Sequence, residues 1–339
     1  MNKIDLNELK DEKKEIYSFL WANKKFDFHV VLSGKDSHSY EFEFAGQDLM
    51  SYVGDSLANN FGIKKDKELF KEKFKMACSG TGDEIKKITT LHSSSLCALL
   101  FFFNVTESHP IRIPGYENYV FTSSYFEFKN KVIGFPSNVD IVLLGKNTEN
   151  SKNVILFLES KFSEYITGIK KANKKYEIGK SYFSDSEDCF SKPIYDSLEK
   201  DGLLELKKES KYYLTAKTDK YIEGIKQMIS HYYGIRNYIN DDFYENDNPC
   251  LGNIKSHNAE EILLGEILFD NFGDDIKKCY LKPYEDDYDY LAKLINKTFK
   301  GSNGKEFKML EKSLHYFDLR DMCLTDYPII KNFYFGNNK

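Results

Sequence analysis

Asp140 opens the apolar run Asp140-Ile-Val-Leu-Leu, and Glu159 and Lys161 close a second one, Val154-Ile-Leu-Phe-Leu-Glu159-Ser-Lys161. Neither run alternates apolar with polar, so each reads as a central strand in a sheet covered on both faces. The polar, turn-rich stretch Gly145–Lys152 between them makes an antiparallel hairpin the economical connection. With the tip set between Glu149 and Asn150, Asp140 falls opposite Glu159, where Cβ atoms stand about 4.5–5.5 Å apart on one face. Lys161, two residues past Glu159, points to that same face. The register is an assumption of this reading, because a one-residue slip would part the two acids.

Two adjacent carboxylates repel, and each resists ionising beside the other. A hard divalent cation resolves the conflict: Mg²⁺ takes oxygen from one or two carboxylates plus water and phosphate. A cation held there acidifies a water and stabilises charge on a phosphate under attack. A lysine alongside can orient the water, help take its proton, or face the phosphate. The E-x-K triplet alone has little specificity, since Glu8-Leu-Lys10, Glu127-Phe-Lys129, Glu205-Leu-Lys207 and Glu306-Phe-Lys308 also match it. Only Glu159-Ser-Lys161 closes an apolar strand with an aspartate opening another just upstream. The competing reading is a buried structural carboxylate–lysine pair, although burying three ionisable groups together is costly without a function.

The elements that must position these groups follow from periodicity. Glu8–Phe26 reads as an amphipathic helix, Phe28–Phe44 as a strand pair around Ser33-Gly34-Lys35, and Asp66–Ala77 as a charged helix. A serine among Ser93, Ser94 and Ser95 caps a helix whose Leu96–Asn104 stretch is apolar nearly all round, so it packs beneath a sheet. Tyr119–Lys131, Val139–Leu144 and Val154–Leu158 have strand composition. A lysine-rich helix is expected from Ile166 through Tyr182, then a helix and hairpin over about 190–216. Tyr221–Arg236, Glu260–Asp270 and Asp286–Phe299 read as helices. The expected fold is α/β: a central mixed β-sheet flanked by helices, with helical additions. Residues 1–77 are expected to pack on a core domain of 78–339, the whole being one folding unit.

Pro136-Ser-Asn-Val-Asp140-Ile-Val-Leu-Leu, followed by Ile155-Leu-Phe-Leu-Glu159-Ser-Lys161-Phe, resembles the PD-(D/E)XK nuclease superfamily. It is most similar to a bacterial, restriction-endonuclease-like branch with a G-x-G-x-E stretch, a serine-rich helix start, D…E-S-K-F-x-E and a K-Q-x-x-x-H helix. This chain has Gly80-Thr-Gly82-Asp-Glu84, His92-Ser-Ser-Ser95, Glu159-Ser-Lys161-Phe-Ser-Glu164 and Lys226-Gln227-Met-Ile-Ser-His231, in that order, and Leu264-Gly-Glu-Ile-Leu268 extends the likeness. Val139 stands where the superfamily name has proline. The resemblance implies a restriction-endonuclease-like core and an Mg²⁺-dependent endonuclease, with Mn²⁺ able to substitute, acting on double-stranded DNA in restriction or genome defence. It implies Asp140, Glu159 and Lys161 as catalytic residues, Gln227 beside them, and Asp140, Glu159 and Glu84 as metal ligands. His231 reads as a packed or capping residue, Glu164 as support for the strand end, and Glu127 as lining the cleft or facing solvent. Lys170, Lys171, Lys174 and Lys175 are candidate phosphate contacts, against an ordinary solvated lysine face. The alternative is a catalytically idle nucleic-acid- or partner-binding protein that keeps the fold.

The remaining composition narrows the class. Hydrophobic residues make up 41% and charged residues 30%, which fits a globular chain and not a disordered one. The net charge of -5 does not advertise nucleic-acid binding, yet a local basic groove can coexist with it. Arg112, Arg236 and Arg320 are the sole arginines, so base readout by arginine forks is sparse. The start shows no signal-peptide core, and Leu96–Phe103 is too short to span a bilayer, so a cytoplasmic protein without membrane contact is expected. The six cysteines have no C-x-x-C pair and read as reduced thiols; a zinc site from Cys78, His92 and Cys97 lacks paired-ligand spacing. A homodimer is expected if both DNA strands are cut at once.

Overall fold

The computed structural model describes residues 2–9, 11–21, 49–79, 84–132, 136–166 and 222–336, with the shorter pieces 25–26, 29–32, 39–43, 176–178, 196–197, 199–202, 204–207 and 211–214. At the start, β1 (Asn2–Lys3) pairs with β2 (Lys25–Phe26), and α1 (Asp11–Leu20) lies between them in sequence. The helix read over Glu8–Phe26 is thus shorter than expected, ending before a strand. β3 (Val30–Leu32) pairs antiparallel with β4 (Tyr40–Phe42), as the alternation there predicts. Then come α2 (Leu49–Asn60), which the sequence reading passed over, α3 (Lys67–Ala77), α4 (Glu84–Ile88) and α5 (Ser94–Phe102). Ser93 caps α5 by accepting from the Leu96 amide at 3.1 Å, and every residue from Leu96 to Phe102 is buried.

The main sheet begins with β5 (Ile111–Ile113) and the antiparallel run β6 (Tyr116–Lys131), β7 (Pro136–Asn147) and β8 (Asn153–Lys161). A smaller three-stranded sheet, β9 (Tyr176–Ile178), β10 (Leu204–Lys207) and β11 (Lys211–Leu214), follows. β10 and β11 are the hairpin expected near 190–216, whereas β9 falls where a helix was expected. After α6 (Ile222–Ile239) and α7 (Leu251–Ser256), β12 (Glu261–Leu268) inserts into the main sheet parallel to β8. This corrects the helix read over Glu260–Asp270. A Glu- and Leu-rich run of that length suits either state, and pairing on both edges decides for the strand. A π-helical turn, Lys277–Leu281, leads into α8 (Lys282–Thr298). β13 (Gly301–Ser302), β14 (Lys305–Met309) and β15 (Leu314–His315) complete the strands, and α9 (Tyr316–Leu324) and α10 (Pro328–Phe335) complete the helices.

Among the described residues the main sheet runs β13-β14-β12-β8-β7-β6-β5, with β15 also paired to β12. It is mixed: β12 is parallel to β8, β14 and β15, and the other neighbours are antiparallel. Helices cover both faces. Ile141, Leu143, Leu156 and Leu158 pack with α5, α9 and α10, while Val142, Leu144, Ile155 and Phe157 pack with α6 and α8. This double coverage is why β7 and β8 read as continuous apolar runs. Beyond β5, the open edge of β6 is closed by side chains. Asn248 donates to the Lys129 carbonyl at 2.8 Å, and buried Lys73 donates to the Ser124 carbonyl at 2.7 Å. No helix among the described residues is long and apolar enough to cross a membrane.

Candidate active site

The β7–β8 ladder pairs Lys146 with Asn153 and ends with Ile141 opposite Leu158. One step further, Asp140 comes opposite Glu159, in the register that the hairpin reading assumes. Alternation from Val142 and Phe157 turns Asp140, Glu159 and Lys161 toward α6. Lys161 Nζ lies 2.6 Å from Glu159 Oε1 and 2.6 Å from Gln227 Oε1. Gln227 donates its own amide to the same Glu159 oxygen. His231, one turn along α6, brings Nε2 to 2.8 Å from Glu159 Oε2, and its Nδ1 lies 2.8 Å from Ser137 Oγ. Asp140 Oδ2 accepts from the Ser160 amide at 2.7 Å. The structure therefore brings Asp140, Glu159, Lys161 and Gln227 together and packs the buried His231 against Glu159.

Charge is distributed unevenly within it. Burial alone would raise the Glu159 pKa, but Lys161 and then His231 outweigh it and hold the carboxylate down at about 2. Burial disfavours the Lys161 ammonium, yet Glu159, Glu164 and Asp140 together hold its pKa above the ordinary lysine value. These partners favour the ammonium form of Lys161, which suits it to hold Glu159 and to face a phosphate. Asp140 keeps part of its surface open. Burial, then Glu159, then Glu127 push its pKa well above the usual carboxylate range, with Lys161 and the Ser160 amide only partly offsetting them.

Two further acids extend the pair into a row across four strands. Glu127 lies between the pairs Phe126–Ile141 and Phe128–Val139, which places it opposite Asp140. It is buried, and its φ of 51° is a left-handed conformation that side chains other than glycine and asparagine seldom adopt within a strand. Glu266 pairs directly with Glu159 across the parallel β8–β12 ladder. Its carboxyl is fully buried and accepts from Tyr284 Oη at 2.7 Å and Ser313 Oγ at 3.0 Å. Burial raises its pKa to about 7, against the lowering effect of those hydroxyls and of Lys161. Sequence reasoning missed Glu266 because its segment was read as a helix. The available signal was an apolar run, Ile262–Phe269, interrupted by Gly265 and Glu266 alone; a glycine inside such a run marks a strand that another side chain approaches closely. A Cβ on Gly265 would meet Leu310 at 2.8 Å.

Other predicted residues fare differently. Glu84 begins α4, but its side chain lies outside the described residues, as do Lys170, Lys171, Lys174 and Lys175. Glu164 accepts from the Phe162 and Ser163 amides at 2.6 and 2.8 Å, supporting the end of β8. His92 is committed at both ring nitrogens, to Lys13 Nζ at 2.7 Å and Tyr17 Oη at 2.9 Å, which leaves no imidazole for a zinc site with Cys78 and Cys97. Among the described residues no group of three or more His, Cys, Asp or Glu is arranged to hold a metal. Comparison with protein-family models, with curated proteins and with solved structures found no match.

Proposed function

We propose that this chain is a metal-dependent endonuclease of the PD-(D/E)XK type that hydrolyses phosphodiester bonds in double-stranded DNA. The observation that carries the reading is the convergence of Asp140, Glu159 and Lys161, tied by Gln227, at the end of the β7–β8 hairpin. The mixed sheet with helices on both faces supports it as well, since that is the fold class the resemblance implies. A setting in restriction or genome defence rests on the resemblance alone, and a homodimer follows only if both strands are cut together.

The residues fit Mg²⁺ or Mn²⁺. Mg²⁺ uses one or two carboxylates and retains water, so a three-residue protein cage is not required. Asp140 carries excess negative potential from Glu159 and Glu127, which a cation would relieve. Asp140 and Glu159 would hold the ion, which when bound supplies an acidified water and charge to a phosphate under attack. Lys161, favoured as an ammonium by Glu159, steadies that carboxylate and presents positive charge to a phosphate. Gln227 accepts from Lys161 and donates to Glu159, fixing both side chains from α6.

One observation favours the second reading, a protein that binds nucleic acid or a partner without cutting. Both Glu159 oxygens already lie against Lys161, Gln227 and His231, a set that is neutralised without metal. Supercoiled plasmid incubated with Mg²⁺, Mn²⁺ or EDTA separates the two, alongside melting curves of the parent and Asp140→Asn. Cleavage should require the metal and be lost in Asp140→Asn and Lys161→Ala. The folded pKa of Asp140 lies above its unfolded value, so its contribution to stability is present below about pH 4 and is lost as pH rises through the folded value. Asp140→Asn lacks that loss, so in EDTA at neutral pH it should melt no lower than the parent. Mg²⁺ should raise the melting temperature of the parent and leave the mutant unmoved. A parent that neither cuts nor shifts with Mg²⁺ leaves the binding protein as the reading.

A further inference from the structure

Ser160 stands between Glu159 and Lys161, so its side chain turns away from the acids to the sheet face under α5 and α9. It is 1% exposed. Its hydroxyl lies 3.1 Å from the Ser94 carbonyl at the start of α5 and 2.8 Å from the hydroxyl of Tyr316, the first residue of α9. A serine owns one hydroxyl proton and a carbonyl can only accept, so Ser160 donates to Ser94 and Tyr316 donates to Ser160. The Tyr316 ring is fixed by Phe101, whose centroid lies 4.6 Å away in an edge-on arrangement, and by Phe102 and Phe269 around it. From the same Ser160, the backbone amide reaches Asp140 Oδ2 at 2.7 Å, just beyond the last ladder pair. It is the one hydrogen-bond donor to Asp140 among the described residues. A hydrogen-bonded strut therefore crosses the sheet, from α9 through Ser160 to the acid.

We propose that Tyr316 and Ser160 are positioning residues that aim the Asp140 carboxylate from the opposite face of the sheet. The proposal deepens the reading of Asp140 as a metal-holding carboxylate and rests on it. The torsions of Ser160 set the direction of its amide and of both flanking side chains, so a hydroxyl that fixes Ser160 fixes Asp140, Glu159 and Lys161 together. Groups that orient a metal ligand from behind typically change metal affinity or activity by about 10–100-fold when removed.

The test compares the parent with Tyr316→Phe, Ser160→Ala, the double variant and Tyr334→Phe. Tyr334 is buried in the same aromatic cluster, but its hydroxyl faces the Cys97 thiol and makes no hydrogen bond to Ser160 among the described residues, which makes it the control. Phenylalanine keeps the ring and the packing, so the fold is retained. Residue-resolved hydrogen exchange should show the Ser160 amide of Tyr316→Phe exchanging about tenfold faster, with the amides of Ile155–Phe157 unchanged. The Mg²⁺ concentration for half-maximal cleavage, and the Kd for Mn²⁺ by calorimetry, should rise about tenfold while KM for plasmid stays constant. The double variant should be no worse than the poorer single one. Unchanged Ser160 exchange in Tyr316→Phe overturns the proposal, as do independent, additive losses or a loss confined to KM. If the parent itself neither cuts nor binds Mn²⁺, the nuclease reading falls, and the exchange measurement alone decides whether the strut exists.

Discussion

Burial acts alike on Asp140, Glu159 and Glu266, and their partners separate them. Glu159 has Lys161 and His231 against it and stays ionised to about pH 2, so its stabilisation is present above the unfolded value of 4.5 and is lost as pH falls through 2. Glu266 has only neutral hydroxyls in contact, and its pKa rises to about 7. Its sign is opposite: the contribution is complete below 4.5 and is lost as pH rises through 7. Glu266→Gln removes that dependence. The variant should therefore gain on the parent between pH 5 and pH 8 by on the order of 2–3 kcal/mol, read from urea unfolding at each pH. Parallel pH curves for the two proteins would mean that Glu266 keeps its charge throughout.

At the scale of elements, the site depends on two contacts that fix β7. On one side β8 sets the register; on the other, β6 bulges between Phe121 and Ser123 and crowds Gly145. A Cβ on Gly145 would stand 2.1 Å from the Val120 carbonyl oxygen and 2.7 Å from Phe121 Cα, backbone atoms that cannot step aside. Gly145→Ala should therefore force β6 and β7 apart and cost on the order of 3 kcal/mol or more in chemical unfolding. A loss under about 1 kcal/mol would show that the bulge gives way easily. Because α5, α9 and β12 meet the same hairpin, strain there should reach the acids.

Across the whole molecule, one hydrophobic core runs from Ile4 to Phe335 and includes the first helices. Trp21 is fully buried, stacks parallel to Phe162 at 6.0 Å and donates from Nε1 to the Phe333 carbonyl. Phe42 and Phe61 pack edge-on at 5.7 Å, and Phe61 meets Phe333 in the same way at 5.3 Å. Phe162 directly follows Lys161, so the N-terminal helices support the strand end that carries the site. A fragment of residues 78–339 should lose that cover and melt without a cooperative transition. A sharp calorimetric peak from the fragment would show that the first 77 residues are dispensable for folding.

The order of residues by itself determined the β7–β8 hairpin, because two unbroken apolar runs around a polar turn leave few other connections. It also marked α5, whose apolar surface on all sides demands burial, and the acid–acid–lysine group, whose spacing follows from the strand period of two. What the tertiary structure alone decided is long-range. β12 is a strand because β8 and β14 lie on its two edges, which a Glu- and Leu-rich run does not announce. Glu266, Glu127 and Tyr316 reach the site through pairing and packing across strands distant in sequence, so their place there is set by long-range contacts. The protonation of each acid likewise depends on which cations and hydroxyls the fold brings within a few ångströms, and that distance is a property of the folded chain.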